Sequence, residues 1–330
     1  MRPPPRIVAG LLACLALLAG CAGARTQPPP RPGPGDVVLP VTAQAMACPA
    51  GRPGEGRPPV RFGSKDFAEQ YILGELYTQA LRARGYSVTL QSNIGGSEVI
   101  DRAFATGQID AYAEYLGEIT SSVANLPPSA GPEATYAAAQ RFEETERQAV
   151  VGRQTPFENT DVIVVRTDLA RRYGLVGIGD LARIGTAGDG VALAGQPPFA
   201  TRPTGLPGLR TTYGLGGLRF VSVAADQVYE ALDEGRANAA DGFSTDGALA
   251  GGAYTALADP QRLFRDQFVA PVVTRAVADA QGPEFAQTLD CVSALLTTAV
   301  MQDMNKQVQL DGADPGQVAT AFLTRYGVLS

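Results

Sequence analysis

The chain has 330 residues and a formal net charge of −6 at pH 7, from 27 basic and 33 acidic residues. This length allows two domains or one bilobal unit, and the acidic balance without a basic run argues against nucleic acid or acidic lipid as a partner. Histidine is absent, which excludes serine triads that use histidine and zinc sites built on imidazole. Carboxylates and lysine remain available, so the composition weakens the case for an enzyme without excluding one.

The N-terminal residues have the pattern of an export signal. Arg2 and Arg6 precede an apolar stretch at 7–18 that is too short to span a bilayer, and small residues follow it. The sequence "LAGC" that ends at Cys21 resembles a bacterial lipobox. We predict that residues 1–20 are a lipoprotein signal peptide and that lipid on Cys21 anchors an extracytoplasmic protein to the cell membrane. The alternative is an ordinary signal peptide followed by a chance cysteine.

The next segment, residues 21–59, is rich in proline, glycine and arginine and includes "QPPPRPGPG" and "CPAGRPGEGRPP". Such a composition cannot bury enough apolar surface to form a core. We predict a tether that holds a lipid-anchored domain away from the membrane surface.

The cysteines are few enough to assign one by one. Cys14 would leave with the signal peptide and Cys21 would carry lipid, which leaves Cys48 and Cys291. In an oxidising compartment these two predict a single disulfide between the N-terminal segment and a helix near the C-terminus. Two buried free thiols are the alternative.

Strands and helices alternate from Val60 onward, which is typical of a parallel sheet covered by helices. Asp66 is the predicted cap of the first helix, with Glu69 three residues further on, and Ser97 is the predicted cap of the second. The predicted elements in order are a strand at 60–63, a helix ending at Gly85, a strand at 87–91, a helix ending at Gly107 and a strand at 109–115.

A second block of the same kind begins with the strand "DVIVV" at 161–165. It continues through "VALAG", the loop "QPPFATRPTGLPGL" and "RFVSV" to a helix predicted at 225–234. From Pro283 the chain is helical, and helical tails of this kind usually pack on a lobe that is already built. We predict that this tail returns to the first block.

The two blocks share one local pattern. The segment "AFATGQIDAYAEY" at 103–115 aligns with "ALDEGRANAADGF" at 231–243 when Gly107 is matched to Gly235, and Tyr115 then falls opposite Phe243. Ligands of open α/β sheets bind at the carboxyl ends of strands, so both rings are predicted to face a shared crevice. The alternative is that both segments are merely the commonest helix-to-strand pattern.

Several stretches together resemble the substrate-binding proteins of osmoprotectant ABC importers, which capture glycine betaine, choline, carnitine and related quaternary amines. The stretches are "FGSKDFAEQYILGELY", "NIGGSEVIDRAFATGQIDAYAEYLGE", "PPFATRPTGLPGL", "VYEALDEGRANAADGFSTDG" and "DMNKQVQLDGADPGQVATAFL", within about residues 60–328. The resemblance implies an α/β fold of the type II periplasmic-binding-protein class, with two α/β lobes joined by two hinge crossings. We expect residues 60–158 and 270–330 to form lobe 1, and 159–269 to form lobe 2.

The resemblance also implies the function of an importer's receptor. Such a protein closes on a small-molecule quaternary amine and docks on a membrane permease, which a separate cytoplasmic ATPase drives. It is not an enzyme and needs no cofactor, metal or nucleic acid, and no GxxxxGK[ST] run occurs in the sequence. Two alternatives are a lipid-anchored sensor or adaptor for another cationic ligand, and an extracytoplasmic enzyme that uses paired carboxylates.

The resemblance carries individual site residues with it. Lys65 and Arg202 match the cations that meet a betaine carboxylate, and Tyr115 and Tyr229 match rings of an aromatic cage, which attracts a quaternary ammonium by cation–π contact. Lys65 also lies near a helix N-terminus, which predicts an anion-binding floor. Tyr71 and Tyr77 are predicted to cover the lobe core instead. The full predicted ligand-binding set is Lys65, Asp66, Tyr115, Glu118, Asp161, Arg202, Tyr229, Phe243 and Thr245.

Three members of this set depart from the family pattern. Glu118 stands where a carboxylate-binding threonine is expected, Asp161 stands where many members have a cage tyrosine, and Asp66 replaces an amide residue. The predicted cage is therefore thinner and more acidic than a glycine-betaine site, which favours a cationic solute.

Overall fold

The computed structural model describes residues 47–185, 190–264 and 266–329. The predicted signal peptide, the lipidation site Cys21 and the first part of the predicted tether lie outside these residues. Within the described part of the chain, no helix combines the length and the apolar character that crossing a membrane requires.

The strands form two five-stranded sheets. Their bounds are β1 Val60–Gly63, β2 Val88–Gln91, β3 Ala111–Tyr115, β4 Ala149–Val151, β5 Asp161–Arg166, β6 Ala192–Gly195, β7 Arg219–Ser222, β8 Ala239–Phe243, β9 Tyr254–Leu257 and β10 Val269–Thr274. The order is β2-β1-β3-β10-β4 in the first sheet and β7-β6-β8-β5-β9 in the second. In each sheet, the first three strands run parallel and the fourth runs antiparallel to both of its neighbours.

Helices cover the faces of both sheets. Their bounds are α1 Ala68–Ala83, α2 Ser97–Ala105, α3 Leu116–Glu118, α4 Pro132–Glu146, α5 Thr167–Tyr173, α6 Ala182–Gly185, α7 Leu206–Thr212, α8 Val228–Asp233, α9 Arg275–Gln281, α10 Pro283–Leu295, α11 Thr298–Gln309 and α12 Pro315–Arg325. Single 3₁₀ turns occur at Ile178–Leu181, Pro197–Ala200, Ala225–Gln227 and Gly247–Gly251, and a π turn at Ile119–Val123.

The two sheets share one hydrogen-bonding arrangement at the start of a strand. In the first sheet the backbone N–H of Arg61 donates to the Asp110 carboxylate at 2.7 Å, and the N–H of Asp110 donates to the Arg61 carbonyl at 2.8 Å. In the second sheet the N–H of Ala192 donates to Asn238 Oδ1 at 2.8 Å, and the N–H of Asn238 donates to the Ala192 carbonyl at 2.9 Å. The segments aligned in the sequence thus occupy equivalent places in their sheets.

Both predicted helix caps are wrong. Helix α1 has Phe67 at its N-cap and α2 has Gly96, and neither cap uses a side-chain hydrogen bond. Ser97 instead accepts a hydrogen bond from Lys65 Nζ at 2.8 Å, and Glu69 is buried among partners that lie far from it in the sequence. These tertiary contacts outweigh the local capping pattern.

The C-terminal helices α10 and α12 pack on helix α1 of the first lobe. Tyr77 of α1 is fully buried and its hydroxyl lies 2.9 Å from Ser293 Oγ of α10. Thr320 of α12 donates to Gln79 Oε1 of α1 at 2.8 Å. Helix α11 also contacts the second lobe, because Gln302 Nε2 donates to the carbonyl of Ser244 at 2.8 Å.

The described N-terminal segment, 47–59, also lies against the first lobe. Cys48 and Cys291 form a disulfide between this segment and α10. The N–H of Gly54 donates to the Arg84 carbonyl at 2.9 Å, after the end of α1. This part of the predicted tether therefore has fixed contacts with the folded unit.

Two chain crossings join the sheets, between β4 and β5 and between β9 and β10. They run side by side, because the N–H of Asn159 donates to the Gln267 carbonyl at 3.0 Å and Glu158 forms an antiparallel bridge with Phe268. The lobe boundaries at residues 158, 159, 269 and 270 stay predictions.

Candidate functional site

A cavity of about 890 Å³ lies between the two sheets, next to the crossings. The strand ends at Tyr115 in β3 and Phe243 in β8 both open onto it. All of the predicted ligand-binding residues line this cavity, namely Lys65, Asp66, Tyr115, Glu118, Asp161, Arg202, Tyr229, Phe243 and Thr245. Tyr71 and Tyr77 do not line it; Tyr77 is fully buried, whereas Tyr71 is half-buried.

Aromatic rings from both lobes line the cavity. Phe67 and Tyr115 come from the first lobe and stack with their ring centroids 6.1 Å apart. Tyr229 and Phe243 come from the second lobe. Phe67 is 38% exposed and Phe243 is 39% exposed, whereas Tyr115 is buried. The two phenylalanines therefore offer the most accessible ring surface for a solute.

Carboxylates outnumber cations among the described residues that line the cavity. There are seven carboxylates and two cations, Lys65 and Arg202. The cavity therefore has an acidic lining, which is suited to a positively charged solute.

Lys65 is paired within the protein. Its Nζ forms a buried salt bridge with Glu114, lies 2.8 Å from Ser97 Oγ and lies 4.8 Å from the centroid of the Tyr115 ring. Burial raises the pKa of Glu114, although the charge of Lys65 and its hydrogen bond act in the opposite direction. The ammonium group of Lys65, which was predicted to bind a solute anion, is therefore already paired with the carboxylate of Glu114.

Arg202 is paired in a similar way on the second lobe. Its Nη2 forms a salt bridge with Asp161 at the start of β5 and lies 4.0 Å from Asp241 Oδ1. Its guanidinium also lies 4.9 Å from the centroid of the Phe199 ring. Both predicted carboxylate-binding cations therefore already have an acidic partner.

A buried carboxylate, Glu69, joins α1, the crossing and α11. Its Oε1 accepts from the Tyr115 hydroxyl at 2.8 Å and from Asn159 Nδ2 at 3.0 Å, while its Oε2 accepts from Asn305 Nδ2 at 2.8 Å. Burial raises the pKa of Glu69, and hydrogen bonds from its neighbours, Thr245 first, oppose that rise. Asn305 also donates to the Thr245 carbonyl at 2.8 Å, which links Glu69 to the second lobe.

Two further acidic side chains of the cavity, Asp246 and Glu118, accept hydrogen bonds from neighbouring residues. Asp246 accepts from the Tyr229 hydroxyl at 2.7 Å and from the N–H of Phe243 at 2.8 Å, and burial raises its pKa. Glu118 accepts from Gln267 Nε2 at 3.0 Å and from Ser122 Oγ at 2.7 Å. Asp246 thereby fixes the position of the Tyr229 ring.

Sequence reasoning missed several lining residues. Phe67 and Glu69 lie in a stretch with a local helix-start pattern, and such a pattern does not show that a residue faces a cavity. Asp241 carried a detectable signal, because it is a charged residue within a strand whose other residues are Ala, Gly and Phe. Charged residues are almost never fully buried unless they have a partner, so such a position marks a site of interest.

Two α/β lobes, two crossings and a cavity lined from both sides define a solute-binding protein of the two-lobe periplasmic class. A family model described as the substrate binding domain of ABC-type glycine betaine transport system matches residues 58–325. The chain belongs to this family, and it is a substrate-binding protein of ABC transport rather than an enzyme.

Two relatives illustrate the similarity. The glycine-betaine-binding protein of Pseudomonas aeruginosa is 30% identical over 278 residues, which cover 82% of this chain and 88% of the relative. The glycine betaine-binding protein YehZ of Escherichia coli is 29% identical and covers 82% and 91%. The apo structure of YehZ superposes with a TM-score of 0.72 at 27% identity, over 82% of this chain and 99% of that one.

Proposed function

We propose that the chain captures a quaternary amine in the inter-lobe cavity, and that aromatic rings and carboxylates hold the cationic end of the solute. The observation that carries this proposal is the combination of four aromatic side chains with seven carboxylates in one cavity of about 890 Å³. A cavity of this size is ordinary for a small-molecule site.

The chemistry of a quaternary ammonium matches this lining. Such a group has no N–H to donate, so attraction comes from ring faces and nearby negative charge. Each well-placed ring contributes about 0.5 to 2 kcal/mol by cation–π attraction. Three or four rings therefore approach the roughly 8 kcal/mol that micromolar binding requires.

The partners follow from the family. We propose that the loaded receptor docks on a membrane permease served by a cytoplasmic ATPase, and that lipid on Cys21 keeps it at the outer face of the cell membrane. Labelling with a radioactive fatty acid, compared between the full chain and Cys21→Ala, tests the anchor. Uptake assays with the permease test the transport role, and binding without any stimulation of uptake would favour a sensor instead.

The binding experiment is isothermal titration calorimetry with choline and with its uncharged isostere 3,3-dimethylbutanol. We expect choline to bind and the isostere to fail, because only the cation gains from rings and carboxylates. Phe67→Leu and Phe243→Leu keep apolar volume but remove the ring faces, and each should weaken choline binding by about 2- to 30-fold.

A matched control for these variants is Val176→Ala. Val176 is 74% exposed and does not line the cavity, so its truncation should leave the affinity unchanged. Equal binding of choline and the uncharged isostere, with both phenylalanine variants at wild-type affinity, would contradict the proposal.

A further inference from the structure

Asp241 differs from the other buried acids of the cavity, because its hydrogen-bonding neighbour is another carboxyl group, that of Asp161. It is only 8% exposed, and its Oδ1 is buried without a hydrogen-bond partner among the described residues. The register pairs Asp241 with Ile163 and Asp161 with Phe243, so Asp161 and Asp241 lie diagonally on the same face of β5 and β8.

The nearby cations do not satisfy Asp241. Arg202 Nη2 is held by Asp161 and lies 4.0 Å from Asp241 Oδ1, which is beyond hydrogen-bond distance. Lys65 is held by Glu114 on the other lobe. Burying a carboxyl group without a hydrogen-bond partner costs free energy. We therefore expect Asp241 to gain a proton when the cavity is empty, or a hydrogen bond from the solute when the cavity is occupied.

We propose that Asp241 is a specificity-determining residue, which accepts a hydrogen bond from an O–H or N–H group at the far end of the bound organic cation. The cavity would then prefer a hydroxyl-bearing quaternary amine to a zwitterion that ends in a carboxylate. This inference rests on the proposed function, since the rings must already hold the cationic end. It also follows from the paired state of Lys65 and Arg202, which leaves a solute carboxylate without a free cation.

The protonation state of Asp241 provides a second measurement that tests the proposal. Burial and the charge of Asp161 raise the pKa of Asp241, and Arg202 opposes them. Asp246 adds a smaller effect that also raises it, and Tyr229 from α8 faces the same group. The raised pKa favours a proton on the pair formed by Asp241 and Asp161 in the empty cavity. A bound cation favours the ionised carboxylate, so binding releases that proton to solvent.

The test is calorimetry with choline, with propyltrimethylammonium, which lacks the hydroxyl group, and with glycine betaine, between about pH 6 and about pH 9. We expect wild-type protein to bind choline about tenfold or more tightly than propyltrimethylammonium. Choline affinity should rise with pH, by at most about tenfold per pH unit for one released proton. Proton release is read from the same titration in buffers of different ionisation enthalpy, and this measurement needs no variant.

The variant Asp241→Asn should lose both the preference for the hydroxyl group and the pH dependence, while it still binds propyltrimethylammonium. The matched control is Asp279→Asn, which removes one exposed carboxylate away from the cavity and should keep both properties.

The possible outcomes distinguish the role proposed for Asp241 from the proposed function of the cavity as a whole. If Asp241→Asn keeps the hydroxyl preference and the pH slope, the role of Asp241 is refuted although the proposed function stands. Tighter binding of glycine betaine with an affinity that falls as pH rises also refutes it, because a protonated Asp241 would then donate to the carboxylate. Failure of wild-type protein to bind any of the three solutes refutes the proposed function itself.

Discussion

The hydroxyl of Tyr115 donates to Glu69 Oε1 at 2.8 Å, and through this contact a ring at the cavity is fixed by a carboxylate in the interior. Glu69 in turn accepts from Asn305, which also donates to the Thr245 carbonyl on the other lobe. One buried carboxylate, that of Glu69, therefore both positions the Tyr115 ring and takes part in the contact between the lobes.

We predict that Glu69→Gln weakens both folding and binding. The amide would present N–H donors to the Tyr115 hydroxyl and to the Asn159 and Asn305 amides, which are themselves donors here, so at least one buried group would lose its partner. The free energy of unfolding should fall by about 1 to 3 kcal/mol, as measured by urea denaturation. The control is Glu75→Gln on the same helix, whose carboxylate accepts from Gln79 only among the described side chains. Equal losses in both variants would argue against the network.

The chain has two lysines, and they make a matched pair for a test of the buried salt bridge. Lys65→Met should lower the free energy of unfolding by about 3 to 5 kcal/mol, because it leaves Glu114 buried without its partner. Adding Glu114→Gln should restore much of the loss, which a double-mutant cycle measures. Lys306→Met breaks an exposed pair with Asp311 and should cost no more than about 1 kcal/mol. A cycle without coupling between Lys65 and Glu114 would contradict the assignment.

A second buried carboxyl group predicts how stability changes with pH. Glu143 of α4 is fully buried and neither carboxylate oxygen has a hydrogen-bond partner among the described residues. Burial and the charge of Asp101 raise its pKa to about 8, against the opposing charge of Arg147. The folded chain thus keeps a proton that the unfolded chain loses above about pH 4.5, so this group makes stability fall as pH rises towards 8.

The expected slope from Glu143 is about 1.4 kcal/mol per pH unit within that window. Glu143→Gln removes the titrating group and should flatten the dependence, as followed by denaturant unfolding at several pH values. Other buried acids add slopes of the same sign, so the variant is compared with Glu144→Gln, its exposed neighbour. Identical pH profiles for the two variants would rule out the raised pKa.

Reduction of the disulfide should lower stability and leave binding unchanged. Cys48 and Cys291 both lie on the first lobe, away from the cavity, so the bond does not hold the two lobes at a fixed angle. The double variant Cys48→Ser with Cys291→Ala should lose about 2 to 5 kcal/mol in the free energy of unfolding. Its choline affinity, measured below the melting temperature, should match that of the wild type. A large change in affinity would mean that the bond shapes the cavity.

Much of the fold could be predicted because its signals are local. Alternating strands and helices, with Gly107 and Gly235 both in the left-handed region after a helix, place Tyr115 and Phe243 at strand ends. The rule that ligands bind at those ends then gives the position of the cavity.

The pairing of side chains across strands could not be predicted in the same way. The β1 to β3 register pairs Gly63 with Tyr112, and extending it by two residues brings Lys65 level with Glu114. Only the order of the strands reveals this neighbour, and no local pattern encodes that order. For the same reason the sequence predicts that Lys65 and Arg202 meet a betaine carboxylate but does not reveal their acidic partners within the protein.

The place of β10 has a consequence for the order in which the molecule is built. This strand lies between β3 and β4, so the first sheet lacks its fourth member until residues 269–274 have been synthesised. The second sheet needs only residues 161–257. The second sheet can thus form during translation before the first sheet is complete. The first sheet, although its first strand comes early in the chain, must wait for β10, which is synthesised after the whole second sheet.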